Sequence, residues 1–66
     1  MSQKLATPEN IGHACELDAL KRGLKVTNPP YELGVGGNVF YTVNGVRILL
    51  KSWFVRQGFL QKRWVR

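Results

Sequence analysis

Asn44-Gly45 is flanked on both sides by β-forming residues, Val39 to Val43 and Val46 to Leu50. Asn-Gly is the preferred pair for a two-residue type I′ turn, because both central residues of that turn take positive φ. Folding the flanking segments about it sets Val43 opposite Val46, Tyr41 opposite Ile48 and Val39 opposite Leu50. Six apolar side chains then share one face of a β-hairpin, while Phe40, Thr42, Arg47 and Leu49 share the other. A slip of one residue would exchange the two faces, so the pattern itself fixes the register.

A second periodicity precedes the hairpin. Thr7-Pro8-Glu9 reads as a helix start: Thr7 can cap orphan N–H groups, Pro8 suits the first helical position, and Glu9 favours the positive end of the dipole. The helix is expected to run to about Arg22, where Gly23 can end it. Leu17, Leu20 and Leu24 make one apolar stripe, and Ile11, Ala14 and Cys15 a second patch. Asp18 and Arg22, four apart, can pair across one turn. The helix is expected to pack on the apolar face of the hairpin. Residues 1–6 read as a loose leader, and residues 25–37 as a connection. Asn28-Pro29-Pro30 enforces extended backbone there, and Gly34-Val35-Gly36-Gly37 turns it. The glycines lack the spacing of a phosphate-binding loop, and a strand follows them rather than a helix.

The segment from Lys51 to Arg66 admits two readings. As a helix capped by Ser52 it would carry Trp53, Leu60 and Trp64 on one stripe beside Arg56 and Arg63. Gly58 counts against this, at about 1 kcal/mol in a helix interior. The alternative makes Gln57-Gly58 a second turn and Phe59 to Val65 a third strand. Either way the chain reads as α+β: an N-terminal helix packed on a β-hairpin, then a basic C-terminal helix or strand.

Charge adds what the pattern cannot. Up to Glu32 four cations (Lys4, Lys21, Arg22, Lys25) balance four anions (Glu9, Glu16, Asp18, Glu32). From Leu33 onward stand Arg47, Lys51, Arg56, Lys62, Arg63 and Arg66 with no anion, so the net charge of +6 belongs to the second half. Such asymmetry creates a potential that attracts phosphates or acidic surfaces. The ordinary alternative is a solvated surface, which would place carboxylates among the cations.

Sixty-six residues fit one small domain, which buries only roughly 60% of the surface its unfolded chain exposes. One cysteine cannot pair within the chain, and a lone thiol suits a reducing, cytoplasmic setting. No apolar run approaches a membrane span, and no signal-peptide core follows Met1. His13 and Cys15 are two apart on the expected helix and face different sides, so they form no nucleophile–base pair. One histidine and one cysteine are half a zinc set. No metal, cofactor or catalytic function is therefore expected. Cys15 reads as a small buried hydrophobe and His13 as a helix-flank residue.

The stretch from Gly45 to Leu60, GVRILLKSWFVRQGFL, resembles the end of a helix-turn-helix of the MerR or excisionase kind. There a Gly-Val turn leads into a helix closing on aromatic, arginine, glycine and leucine positions. The resemblance implies a helical Val46–Leu50, with Arg47, Lys51 and Arg56 on or near a recognition helix. It implies a small DNA-binding factor of phage or plasmid type.

The expected function is binding rather than catalysis. Nucleic acid ranks first, with Arg47, Lys51, Arg56, Lys62, Arg63 and Arg66 as phosphate contacts and Phe40, Trp53 and Trp64 as stacking or interface residues. In so small a domain the tryptophans also suit the core. The alternative is an interaction module or inhibitor that binds an acidic protein surface, where Phe40 and Leu49 beside Arg47 would suit an interface. A membrane surface ranks last, and a homodimer is compatible with the sequence.

Overall fold

The computed structural model describes residues 3–63. Its elements are β1 (Gln3–Leu5), α1 (Pro8–Lys21), β2 (Tyr31–Leu33), a 3₁₀ turn at Val35–Gly37, β3 (Asn38–Val43), β4 (Val46–Arg56) and β5 (Phe59–Lys62). All strand pairs are antiparallel and the sheet order is β1-β5-β4-β3-β2. The class is α+β, one helix and a five-stranded sheet.

Helix α1 begins as its sequence dictates: the Thr7 side chain accepts from the Asn10 N–H at 3.2 Å, and Pro8 opens the first turn. It ends in a Schellman motif, with Leu24 N–H donating to the Ala19 carbonyl (2.9 Å) and Gly23 N–H to that of Leu20 (3.0 Å). The face it buries is Ile11, Ala14, Cys15 and Ala19, against Val39, Tyr41, Val43, Leu50 and Leu60 of the sheet. Of the two apolar stripes, the smaller residues make the core. The sheet supplies bulky side chains, so a helix bearing alanines and a cysteine on that face can approach it closely. Leu17 and Leu20 stay 43% and 60% exposed, and Leu24 packs at the edge.

The Asn44-Gly45 hairpin has the register read from the sequence, Val43↔Val46, Tyr41↔Ile48 and Val39↔Leu50, with both turn residues at positive φ. Gln57 and Gly58 make a second turn of this kind (φ 54° and 79°). The stretch from Lys51 to Lys62 is therefore two strands about that turn, and the helical alternative fails there; residues 64–66 lie outside the described residues. The helix-turn-helix resemblance fails with it, because Val46–Leu50 lies inside β4. Two further strands escaped the sequence reading. Gln3–Leu5, inside the segment read as a leader, pairs with β5, and Tyr31–Leu33, inside the proposed connection, pairs with β3. At three residues each, they are too short to show a period.

A bulge in β4 sets which way its second half faces. Val39 pairs with Leu50, but the next residue of β3, Asn38, pairs with Phe54, so Lys51, Ser52 and Trp53 intervene on β4 alone. The odd number of extra residues inverts the alternation beyond the bulge. Trp53 and Val55 thereby join the core side, and Phe54 and Arg56 turn to the face away from α1. Gly37 makes room for this segment: a Cβ there would lie 1.9 Å from the Val55 carbonyl oxygen.

Among the described residues a polar network ties the sheet to the C-terminal end of α1. Tyr41, fully buried, donates its hydroxyl to Asp18 at 2.8 Å, and Arg22 donates to the same carboxylate at 2.9 Å and to the Leu49 carbonyl at 3.1 Å. Burial first, and then the hydrogen bond to Asp18, pushes the Tyr41 phenol up to about 12; burial first, with Asp18 and Glu16 adding, pushes the Cys15 thiol up to about 11. Both groups favour their neutral forms in the folded state. They add stability below their unfolded values (near 9 for the thiol and 10 for the phenol) and lose it as pH rises to 11 and 12. Two pKa units correspond to about 2–3 kcal/mol for each group. The urea midpoint is expected to fall steeply from pH 9 to 11, and less steeply in Cys15→Ala. Parallel profiles for the two proteins would contradict the thiol's part.

Candidate functional site

Helix α1 covers one face of the sheet; among the described residues no element covers the other. Register assigns the side chains of this open face, because paired residues point the same way. Phe59 lies opposite Arg56 and Leu5, Phe54 opposite Gln61 and Asn38, and Phe40 opposite Leu49 and Glu32. Phe59, Phe54 and Phe40 stand on three adjacent strands, each one diagonal step from the next, with roughly 7–8 Å per step. They form an oblique row from the Gln57-Gly58 turn toward the Asn44-Gly45 turn. Phe59 is 41% exposed, and Phe54 and Phe40 are half-buried.

Each phenylalanine has an arginine beside it. The Arg47 guanidinium lies 4.0 Å from the centroid of Phe40, and that of Arg63 lies 5.6 Å from the centroid of Phe54. Arg56, exposed, is the cross-strand partner of Phe59. Arg47 also forms an ion pair with Glu32, and Arg63 donates to the Asn38 side-chain oxygen. Backbone continues the β4–β5 ladder at this point, with Arg63 N–H donating to the Ser52 carbonyl at 2.7 Å. Glu9, Glu16 and Asp18 are all on α1, so Glu32 is the one carboxylate of the open face among the described residues. Three guanidiniums against that carboxylate leave a face of charge +2 that is rich in aromatic surface.

The residues expected from sequence to bind a partner divide between the two sides. Arg47, Arg56, Arg63 and Phe40 meet on the open face, and Lys51 is exposed at the bulge. Lys62 and Trp53 pair with one another on the helix side. There they line a groove with Leu17, Leu20, Lys21 and Leu50, and Trp53 packs against the core. Trp64 and Arg66 lie outside the described residues. Phe54 and Phe59 were missed. The strand alternative about Gln57-Gly58 would have paired Arg56 with Phe59, but only the bulge reveals that they join Phe40. Cys15 is fully buried and His13 exposed. No helix among the described residues is long and apolar enough to cross a membrane. No family model matches the chain, and no similar curated protein or solved structure was found.

Proposed function

We propose that this protein binds nucleic acid through the open face of its sheet and acts by binding rather than by catalysis. One observation carries the reading: three phenylalanines on an uncovered face, each with an arginine beside it, and a single carboxylate that is already paired. Guanidinium groups take phosphate through two parallel N–H donors and also stack on aromatic rings, so arginine beside phenylalanine serves both the backbone and the bases. The one thiol supports the non-catalytic side of the reading, being fully buried and held protonated. A regulatory or accessory role fits a small basic binder.

The test is a fluorescence-anisotropy titration of labelled DNA and RNA oligonucleotides, single-stranded and duplex, across a salt series. Micromolar or tighter binding is expected at about 50 mM salt, falling as salt rises, because cations that neutralise phosphates release condensed counterions. Absence of binding to every oligonucleotide at that salt would remove the reading. A second reading, an acidic protein surface as partner, draws on Leu5 (58% exposed) and Leu49 beside the arginines, and would then take its place.

A further inference from the structure

We infer that the ligand of the open face is single-stranded, and that its bases stack on Phe59, on Phe54 and on the Arg47 guanidinium that covers Phe40, while its phosphates meet Arg56, Arg63 and the N–H edge of Arg47. This rests on the reading of the face as a nucleic-acid surface and goes beyond it by fixing strandedness, base contact and footprint.

A duplex presents phosphates and groove edges and hides the planes of its bases inside the stack. Proteins read a duplex with an element that projects into a groove, commonly a helix or a two-stranded ribbon. The open face here is a sheet surface whose three rings stand on the central strands β5, β4 and β3, with Leu5 and Leu49 beside them. Such a surface cannot enter a groove. A single strand can lie across it with its bases turned down, each onto a ring or a guanidinium plane, as other sheet surfaces receive unpaired bases. The spacing suits this: successive rings are one strand apart, so they offer separate platforms rather than one cluster. Phe59, the most exposed, takes a base directly. Phe54 takes one beside Arg63, and at Phe40 the Arg47 guanidinium, already on the ring, presents the stacking plane.

A second copy of the chain is the competing occupant. Two-fold pairing of identical open faces would set Arg47, Arg56 and Arg63 against the same three guanidiniums of the other copy, with only Glu32 on each side to offset them. Charge therefore disfavours the self-pairing that the aromatic surface alone would invite, and matches a polyanion.

Three contacts to a single strand give a salt slope of about −2, at about −0.7 per phosphate. Stacking is worth about 1–3 kcal/mol per base, which reads as roughly a 5- to 150-fold change in Kd.

The experiment compares the wild-type protein on oligothymidylate of about 12 nucleotides, an abasic strand of the same length, and a duplex of the same length. All carry the phosphates, but only the first offers free base planes. Oligothymidylate is expected to bind at least about tenfold more tightly than either of the others. A companion pair of variants separates stacking from apolar packing: Phe59→Leu should lose about tenfold on oligothymidylate and nothing on the abasic strand, whereas Phe59→Tyr should keep wild-type affinity. Equal affinity for thymidylate and abasic strands, or a duplex that binds as well, would overturn the single-strand inference and leave nucleic-acid binding standing. Failure of all three, and of an oligouridylate of the same length, to bind would overturn both. Phe59 is a surface residue, and an unchanged circular dichroism spectrum verifies that its variants fold.

Discussion

Gly37→Ala is expected to destabilise the protein by about 3 kcal/mol or more, the largest effect of any single substitution considered. Two costs coincide. Gly37 sits at φ +78°, where a Cβ costs about 1–2 kcal/mol. That Cβ would also lie 1.9 Å from the Val55 carbonyl oxygen, and its neighbour is backbone, which cannot rotate away. Relief requires β4 to move where its bulge turns Phe54 and Arg56 to the open face. With 66 residues the total stability is roughly 3–10 kcal/mol, so the variant should lose a third or more of it. Gly36→Ala is the internal control: its φ is +75° but nothing lies within 4 Å of the added Cβ. It should cost only about 1–2 kcal/mol. Urea unfolding followed by circular dichroism measures both, and equal losses would show that the approach to Val55 does not matter.

The second large effect concerns binding. Replacing Arg47, Arg56 and Arg63 together by glutamine should lower affinity for single-stranded DNA by about a thousandfold at low salt. Each charge-assisted hydrogen bond to phosphate contributes about 1.5–3 kcal/mol, and about tenfold per arginine is the lower end of that range. The three differ in what else they do. Arg56 is exposed and makes no hydrogen bond or ion pair among the described residues, so its loss reports on ligand alone. Arg47 is shared with Glu32 and Phe40, and Arg63 with Asn38 and Phe54. Their variants should also unfold slightly earlier, by about 0.5–1 kcal/mol each.

How much of this was legible in the sequence depends on where the chain follows local rules. The Asn44-Gly45 hairpin and its register were legible because an Asn-Gly turn and a period of two agree over several residues. Helix α1 was legible from its cap and its ending. Which stripe of the helix faces inward was not: leucines outweigh alanine and cysteine in any apolar count, and only the bulk of Tyr41, Leu50 and Leu60 across the interface decides for the smaller side. Strands β1 and β2 were hidden because three residues carry no period, and their pairing with β5 and β3 is non-local. The candidate site was half legible. Phe40 and Arg47 follow from the hairpin, but Phe54, Arg56 and Phe59 join them only through the bulge at Lys51–Trp53. That bulge reverses the alternation and is tied to a glycine many residues earlier. The same reversal sends Trp53 to the core, where the sequence had offered it as a stacking residue.

On this proposal one face of the sheet, and not net charge, makes the binding surface. The most direct measurement sets two variants of equal charge loss side by side on single-stranded DNA at about 50 mM salt. One replaces Arg47, Arg56 and Arg63 by glutamine; the other replaces Lys4, Lys21 and Lys62, which lie on the helix or on the helix side of the sheet. The arginine variant is expected to lose about a thousandfold and the lysine variant less than about tenfold. Equal losses in the two variants would contradict it, and would mean that the cations attract the polyanion without any face being the site.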